Sequence, residues 1–108
     1  MYTTLIVGRM KPAEKDLIAG HFANFDDSEM PHLMGTRRRE LFNYNDLYFH
    51  LQQFDDDHDS SEAIRNAMDH PLFVDISQKL IAMIDPYDPK TWKQPTDAIA
   101  KSFYRWQP

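Results

Sequence analysis

The chain has 108 residues, a formal net charge of −5 and a hydrophobic fraction of 42%, with 7 Phe, 5 Tyr and 2 Trp. That length suits one domain, 1–108, and the aromatic content excludes a disordered chain. The acidic balance argues against a nucleic-acid partner, zero cysteines exclude disulfides and thiolate catalysis, and no run approaches the roughly 20 apolar residues of a membrane span.

Met1-Tyr2-Thr3-Thr4 has neither the charged region nor the cleavage site of a signal peptide, so a cytoplasmic protein is expected. Thr3 to Met10 is rich in β-branched residues and free of breakers, and reads as a strand. Pro12 suits the first turn of a helix, where its missing N–H costs nothing, and Glu14 and Asp16 complement the dipole there. Leu17, Ile18, His21, Phe22 and Phe25 then form one apolar stripe at helical spacing. Residues Gly35 to Phe54 read as a hairpin, because Asn45-Asp46 tolerate positive φ between two aromatic and aliphatic runs. Asp59 with Glu62 resembles a capping box, opening a helix with Ile64, Ala67 and Met68 inside. Pro71 interrupts it, and Leu72, Phe73, Ile76, Leu80, Met83 and Ile84 line one side of the next stretch. Asp85-Pro86 ends that helix, residues Pro86 to Thr96 form a loop, and a last strand runs from about Ala98 to Trp106. The predicted class is α+β: a ferredoxin-like βαββαβ domain, with a four-stranded antiparallel sheet under one helical layer.

A two-residue loop at Asn45-Asp46 fixes the hairpin register. Tyr44 then faces Leu47, Phe42 faces Phe49, Leu41 faces His50 and Arg39 faces Gln52, and opposed residues share a face. One face carries Arg37, Arg39 and Leu41 with Tyr48, His50, Gln52 and Phe54. The other carries Arg38, Glu40, Phe42 and Tyr44 with Leu47, Phe49 and Leu51. It is the more apolar face, apart from an expected Arg38–Glu40 pair, and suits packing against a second subunit. A loop of odd length would destroy this grouping.

Three side chains carry candidate chemistry. His50 is a candidate general acid or base, since a histidine ordinarily titrates near neutral pH, although a mid-strand histidine is also explained by one hydrogen bond. Arg39 presents a planar fork of donors that suits a carboxylate or an enolate oxygen; the plainer alternative is a solvated edge residue. Asp26 borders the apolar stripe at a helix C-terminus, where the dipole disfavours its charge; the plainer alternative is a helix-ending cap. Asp55-Asp56-Asp57-His58-Asp59 fails the calcium-loop template, with Ser60 in place of glycine and Asn66 in place of the bidentate Glu, so no metal is expected. Nucleophile-elbow, phosphate-loop and dinucleotide signatures are absent.

In order along the chain come Arg9-Met10 and Pro12, Phe22, Asp26 with Glu29 and Pro31, and Gly35 with Arg37-Arg38-Arg39. Leu41-Phe42, Asp46-Leu47-Tyr48, His50-Leu51 and Asp55-Asp56-Asp57 follow. His70-Pro71-Leu72-Phe73 and Phe103-Tyr104 with Trp106 complete the series. With these residues the chain resembles the small aromatic polyketide cyclases. The Gly-x-Arg-Arg-Arg hairpin and the His-Pro-Leu-Phe break are the most specific when taken together. The resemblance implies a homodimer that closes a later ring of a partly cyclised aromatic polyketide by aldol condensation and dehydration, without a cofactor. It points to Asp26, Arg39 and His50 as catalytic, with Phe25, His21, Tyr48 and Phe54 against the substrate. By this resemblance Phe25 stands at a position that is a histidine in a member of the family, and His21, one turn earlier on the same helical face, is the partial replacement. The alternatives are a cofactor-free monooxygenase acting on an anthrone-type polyketide and a non-catalytic polyketide-binding protein.

Overall fold

The computed structural model describes residues 2–55, 65–92 and 95–108. Strands β1 (Tyr2–Met10), β2 (Thr36–Tyr44), β3 (Leu47–Phe54) and β4 (Ile84–Pro86) form one four-stranded sheet in the order β2-β3-β1-β4, antiparallel throughout. Helices α1 (Lys15–Asp26), α2 (Met30–Met34) and α3 (Pro71–Ile81) connect them. The expected capping box at Asp59 and Glu62, with Ile64, lies outside the described residues, as does the acidic run after Asp55.

Helix α1 begins after a 3₁₀ turn at Pro12–Glu14, and buries Ile18, Phe22 and Phe25. This i, i+4, i+7 pattern is one helical stripe. Leu17, expected in the stripe, is instead 55% exposed. Phe22, Phe25, Met30, Tyr48 and Ile76 share one core with Met10 of β1. Burying each such side chain contributes about 1.5–3 kcal/mol. The short α2 carries no long periodic signal. Ser28 sets it up, donating to the Phe25 carbonyl at 2.5 Å and accepting from the Met30 N–H at 3.1 Å. Gly35 ends α2 at φ 70°, a left-handed conformation that side chains disfavour.

The hairpin has the register read from its loop. Tyr44 pairs Leu47, Phe42 pairs Phe49, Leu41 pairs His50 and Arg39 pairs Gln52, with Asn45 at φ 52°. One placement differs. Thr36 rather than Arg37 pairs with Phe54, through a bulge between Thr36 and Arg38. The bulge takes Arg37 out of the face assigned to it and sets it 3.3 Å from Asp55.

His70 caps α3: its Nδ1 accepts the Leu72 N–H at 3.1 Å, while its Nε2 lies 3.1 Å from Glu29 Oε1. Beyond α3 the structure corrects the expected ending. The fourth strand is Ile84–Pro86, pairing Met10, Arg9 and Gly8 of β1. Pro86 reads as a breaker, but a proline is tolerated on an edge strand whose outer side needs no partner. A side chain at Gly8 would meet the Asp85 carbonyl at 3.0 Å, so glycine permits the close approach of β4. Farther along β1, Ile6 bridges Ile99 and the Leu5 carbonyl accepts from Ala100 N–H. With that edge taken, residues 101–108 adopt no regular structure, and Phe103, Tyr104 and Trp106 are 100%, 78% and 70% exposed.

Candidate functional site

The side chains that face the helices alternate along each strand. On β3 they are Tyr48, His50, Gln52 and Phe54, all buried. On β2 the side chain of Arg39 enters the same layer and is only 7% exposed. Helix α1 supplies Phe22, Phe25 and, at its last position, Asp26. Three elements therefore converge on one guanidinium.

Two of the three nitrogens of that guanidinium have partners. Nε–H donates to Asp26, with both carboxylate oxygens at 3.0 Å. Nη1 lies 2.9 Å from His50 Nε2 and donates to Gln52 Oε1 at 3.0 Å. Arginine has no acceptor, so His50 Nε2 accepts, and the neutral ring carries its proton on Nδ1. The rings of Phe22 and Phe25 lie 5.1 Å and 5.6 Å from the guanidinium carbon, within cation–π range. Nη2 is buried and has no hydrogen-bond partner among the described residues. A buried cationic donor without an acceptor is costly and suits a developing oxyanion.

Burial and the Arg39 charge both oppose protonation of His50, whose pKa falls from 6.5 to about 3, with burial the larger cause. The ring is thus neutral at physiological pH. It packs edge-on to Phe22, with centroids 4.9 Å apart, and 6.1 Å from Tyr48. Burial raises the Tyr48 phenol above its usual value, more than Arg39 lowers it, so its proton stays on. The Asp26 side chain keeps 36% of its surface exposed and connects the buried Arg39 to solvent.

The candidates read from sequence divide into two groups. Asp26, Arg39, His50, Phe25 and Tyr48 are joined by the contacts above. Phe54 lies one row farther along the sheet, opposite Thr36, with 0% exposure. His21 lines a separate depression of about 70 Å³ between α1 and α3, together with Phe25, Asp75 and Lys79. Gln52 was not singled out, although the hairpin register places it opposite Arg39. Phe22 read as core alone. A cavity of about 200 Å³ lined by Val7, Tyr87 and Trp92 is on the opposite side of the sheet, because Val7 alternates with Ile6, which pairs with His50. Among the described residues, no group of three His, Asp or Glu side chains could hold a metal ion, and no helix is long and apolar enough to cross a membrane.

The chain as a whole has relatives among known proteins. The chain is 41% identical over 107 residues to the polyketide synthase CurG of Streptomyces cyaneus, covering 99% of this chain and 98% of that one. It is 39% identical over 105 residues to tetracenomycin F2 cyclase of Streptomyces glaucescens, covering 97% and 94%. The solved structure of the latter, described as a type-II polyketide cyclase, superposes with a TM-score of 0.90 at 38% identity, covering 100% of this chain and 99% of that one. A Chloroflexus aurantiacus structure assigned to the antibiotic biosynthesis monooxygenases shares the fold alone, at 13% identity and a TM-score of 0.52, covering 79% of this chain and 84% of that one. The model for polyketide synthesis cyclases matches residues 2–107, and on that match the chain belongs to the polyketide synthesis cyclase family.

Proposed function

We propose that this protein closes a later ring of a partly cyclised aromatic polyketide by intramolecular aldol condensation and dehydration. The observation that carries the reading is the buried Arg39 guanidinium, whose Nη2 has no partner among the described residues. Asp26 removes a proton from a methylene flanked by carbonyls, and Arg39 Nη2 holds the resulting enolate oxygen. The enolate carbon attacks a second carbonyl carbon, forming the new C–C bond, and the alkoxide takes a proton back from Asp26. Loss of the adjacent C–H proton and of hydroxide then releases one water and leaves an aromatic ring. The sequence is redox-neutral and calls for no cofactor. Holding the two carbons together can itself contribute several kcal/mol, up to about 7–11. His50 acts here as a neutral acceptor that aims Arg39, since its Nε2 lone pair is already engaged. The aromatic side chains of Phe25 and Tyr48 flank the flat substrate and Phe54 backs the site from the next row of the sheet, while His21, in the depression between α1 and α3, stands outside it.

The fold is read as ferredoxin-like, supported by the placing of β3 between β1 and β2. The single domain spans 1–108. Two copies pack through the sheet face opposite Arg39, where Leu5 pairs Leu51, Val7 pairs Phe49, and Phe42 is 46% exposed. The working place is the cytoplasm.

The test is the product mass after incubation with a partly cyclised aromatic polyketide, in air and under argon. Loss of one water in both, faster than without protein and slowed by Arg39→Lys, is expected. Gain of oxygen only in air would mean a monooxygenase, and binding without acceleration would mean a carrier; either overturns the proposal.

A further inference from the structure

The register ties three neighbouring strands together at one level. Thr4 of β1 pairs with Gln52 of β3, and Gln52 pairs with Arg39 of β2. Paired residues share a face, so these three side chains form a row beneath the helices. Thr4 and Gln52 are each 7% exposed, and so is the Arg39 side chain. The middle of the row is bonded, Arg39 Nη1 to Gln52 Oε1 at 3.0 Å, which turns the Gln52 amide NH₂ away from Arg39. Both ends are unspent: Thr4 Oγ1 and Arg39 Nη2 are buried with no hydrogen-bond partner among the described residues.

Stability does not explain a hydroxyl at Thr4. Valine has nearly the same shape and an equal liking for strands, and leaves nothing unsatisfied. A buried, unpaired hydroxyl in line with an unpaired cationic donor is accounted for by a ligand that brings an oxygen to each. We infer that Thr4 is a second oxygen-binding point, taking a carbonyl or phenol oxygen of a polyoxygenated substrate whose reacting oxygen sits on Arg39. The inference rests on the reading of this site as one for polyketides. Neighbouring strands are about 4.8 Å apart, and a poly-β-ketone carries oxygen on every second carbon, so a chain laid across the strands presents oxygens along the row. With two oxygens held, the substrate cannot slide along the sheet. Thr4 thereby selects which carbon meets the base and which ring closes.

Two probes test this without turnover: naphthol, and the naphthalenediol bearing a second hydroxyl on the far ring. Calorimetric titration of the unmodified protein is expected to give about 5- to 10-fold tighter binding of the diol. Thr4→Val abolishes that preference and raises the melting temperature by about 4 °C or more, since it removes an unsatisfied group. Thr4→Ser retains the preference. A diol preference that survives Thr4→Val overturns the inference and leaves the polyketide reading standing, as does a protein that binds both probes without preference. An unmodified protein that binds neither probe overturns the polyketide reading and the inference with it. A lower melting temperature in Thr4→Val would assign the hydroxyl a structural role instead and overturn the inference.

Discussion

Replacing His50 by glutamine separates its role as an acceptor from its capacity to titrate. Glutamine keeps an oxygen for Arg39 Nη1 and takes up no proton between pH 8 and 4. In the unfolded chain the imidazole has its ordinary value of 6.5, while in the fold burial and Arg39 hold it at about 3. A depressed histidine binds fewer protons folded than unfolded between those values. Its contribution is therefore complete above pH 6.5 and falls as the pH drops toward 3. At pH 4.5 the unfolded imidazole is almost wholly protonated and the folded one almost wholly neutral. The linked loss is then about 2–3 kcal/mol, from roughly 1.4 kcal/mol per pH unit. Urea unfolding of the wild type and of His50→Gln at pH 7.5 and pH 4.5 measures it. Carboxylates titrate alike in both proteins and cancel in the difference, so the variant is expected to lose about 2–3 kcal/mol less than the wild type. Parallel loss in the two proteins would refute the buried, neutral His50. The same reasoning expects no inflection from His50 between pH 6 and 7 in the cyclisation rate.

Sedimentation at micromolar concentration is expected to give a dimer, and Phe42→Glu, on the open face, to give a monomer; a wild-type monomer removes the proposed interface. Gly8→Val is expected to cost about 1–3 kcal/mol in urea unfolding, because its side chain meets the Asp85 carbonyl and Ile84; an unchanged midpoint would mean that β4 yields freely. His70→Ala removes the acceptor for the Leu72 N–H at the start of α3 and is expected to cost about 1 kcal/mol, with His70→Asn restoring most of it.

What could be read from the residues depended on how local the determining interactions are. The Asn45-Asp46 loop sets the register of two strands by itself, and through it brings Arg39 opposite Gln52 and beside His50. The stripe of Ile18, Phe22 and Phe25 likewise carries Asp26 to the same place. The fourth strand depends instead on an edge of β1 distant in sequence and on the absence of a side chain at Gly8. Neither is visible in the short Ile84–Pro86 segment, whereas the aromatic tail near Phe103 has strand composition without a strand's neighbour. His21 shares a face with Phe25 by helical periodicity, yet α3 draws that flank into a different depression. Thr4 lacks any local signal, for its meaning comes from the pairing of three strands.

The bulge at Arg37 explains how three successive arginines fit at the edge of a buried layer. Strict alternation would aim Arg37 and Arg39 at the same face, two cations in one apolar space. The extra residue diverts Arg37 outward to Asp55, and Arg38 finds Glu40 on the far side. Only Arg39 is left to enter, where Asp26, His50 and Gln52 receive it. The inward charge is neutralised by a carboxylate that remains partly in water, which spares the fold the burial of a complete ion pair. What is left unpaid is concentrated: Thr4, Thr36 and Arg39 each keep one buried polar atom without a partner among the described residues. At about 1–3 kcal/mol apiece, that is a substantial share of the 5–15 kcal/mol by which a domain is ordinarily stable. Two of the three lie on either side of Gln52 and the third lies one row away, opposite Phe54. An incidental packing fault would have no reason to collect at one end of one sheet face. A substrate with several oxygens would satisfy the group together, which is why the valine substitution at Thr4 is expected to gain stability while losing the preference for a second oxygen.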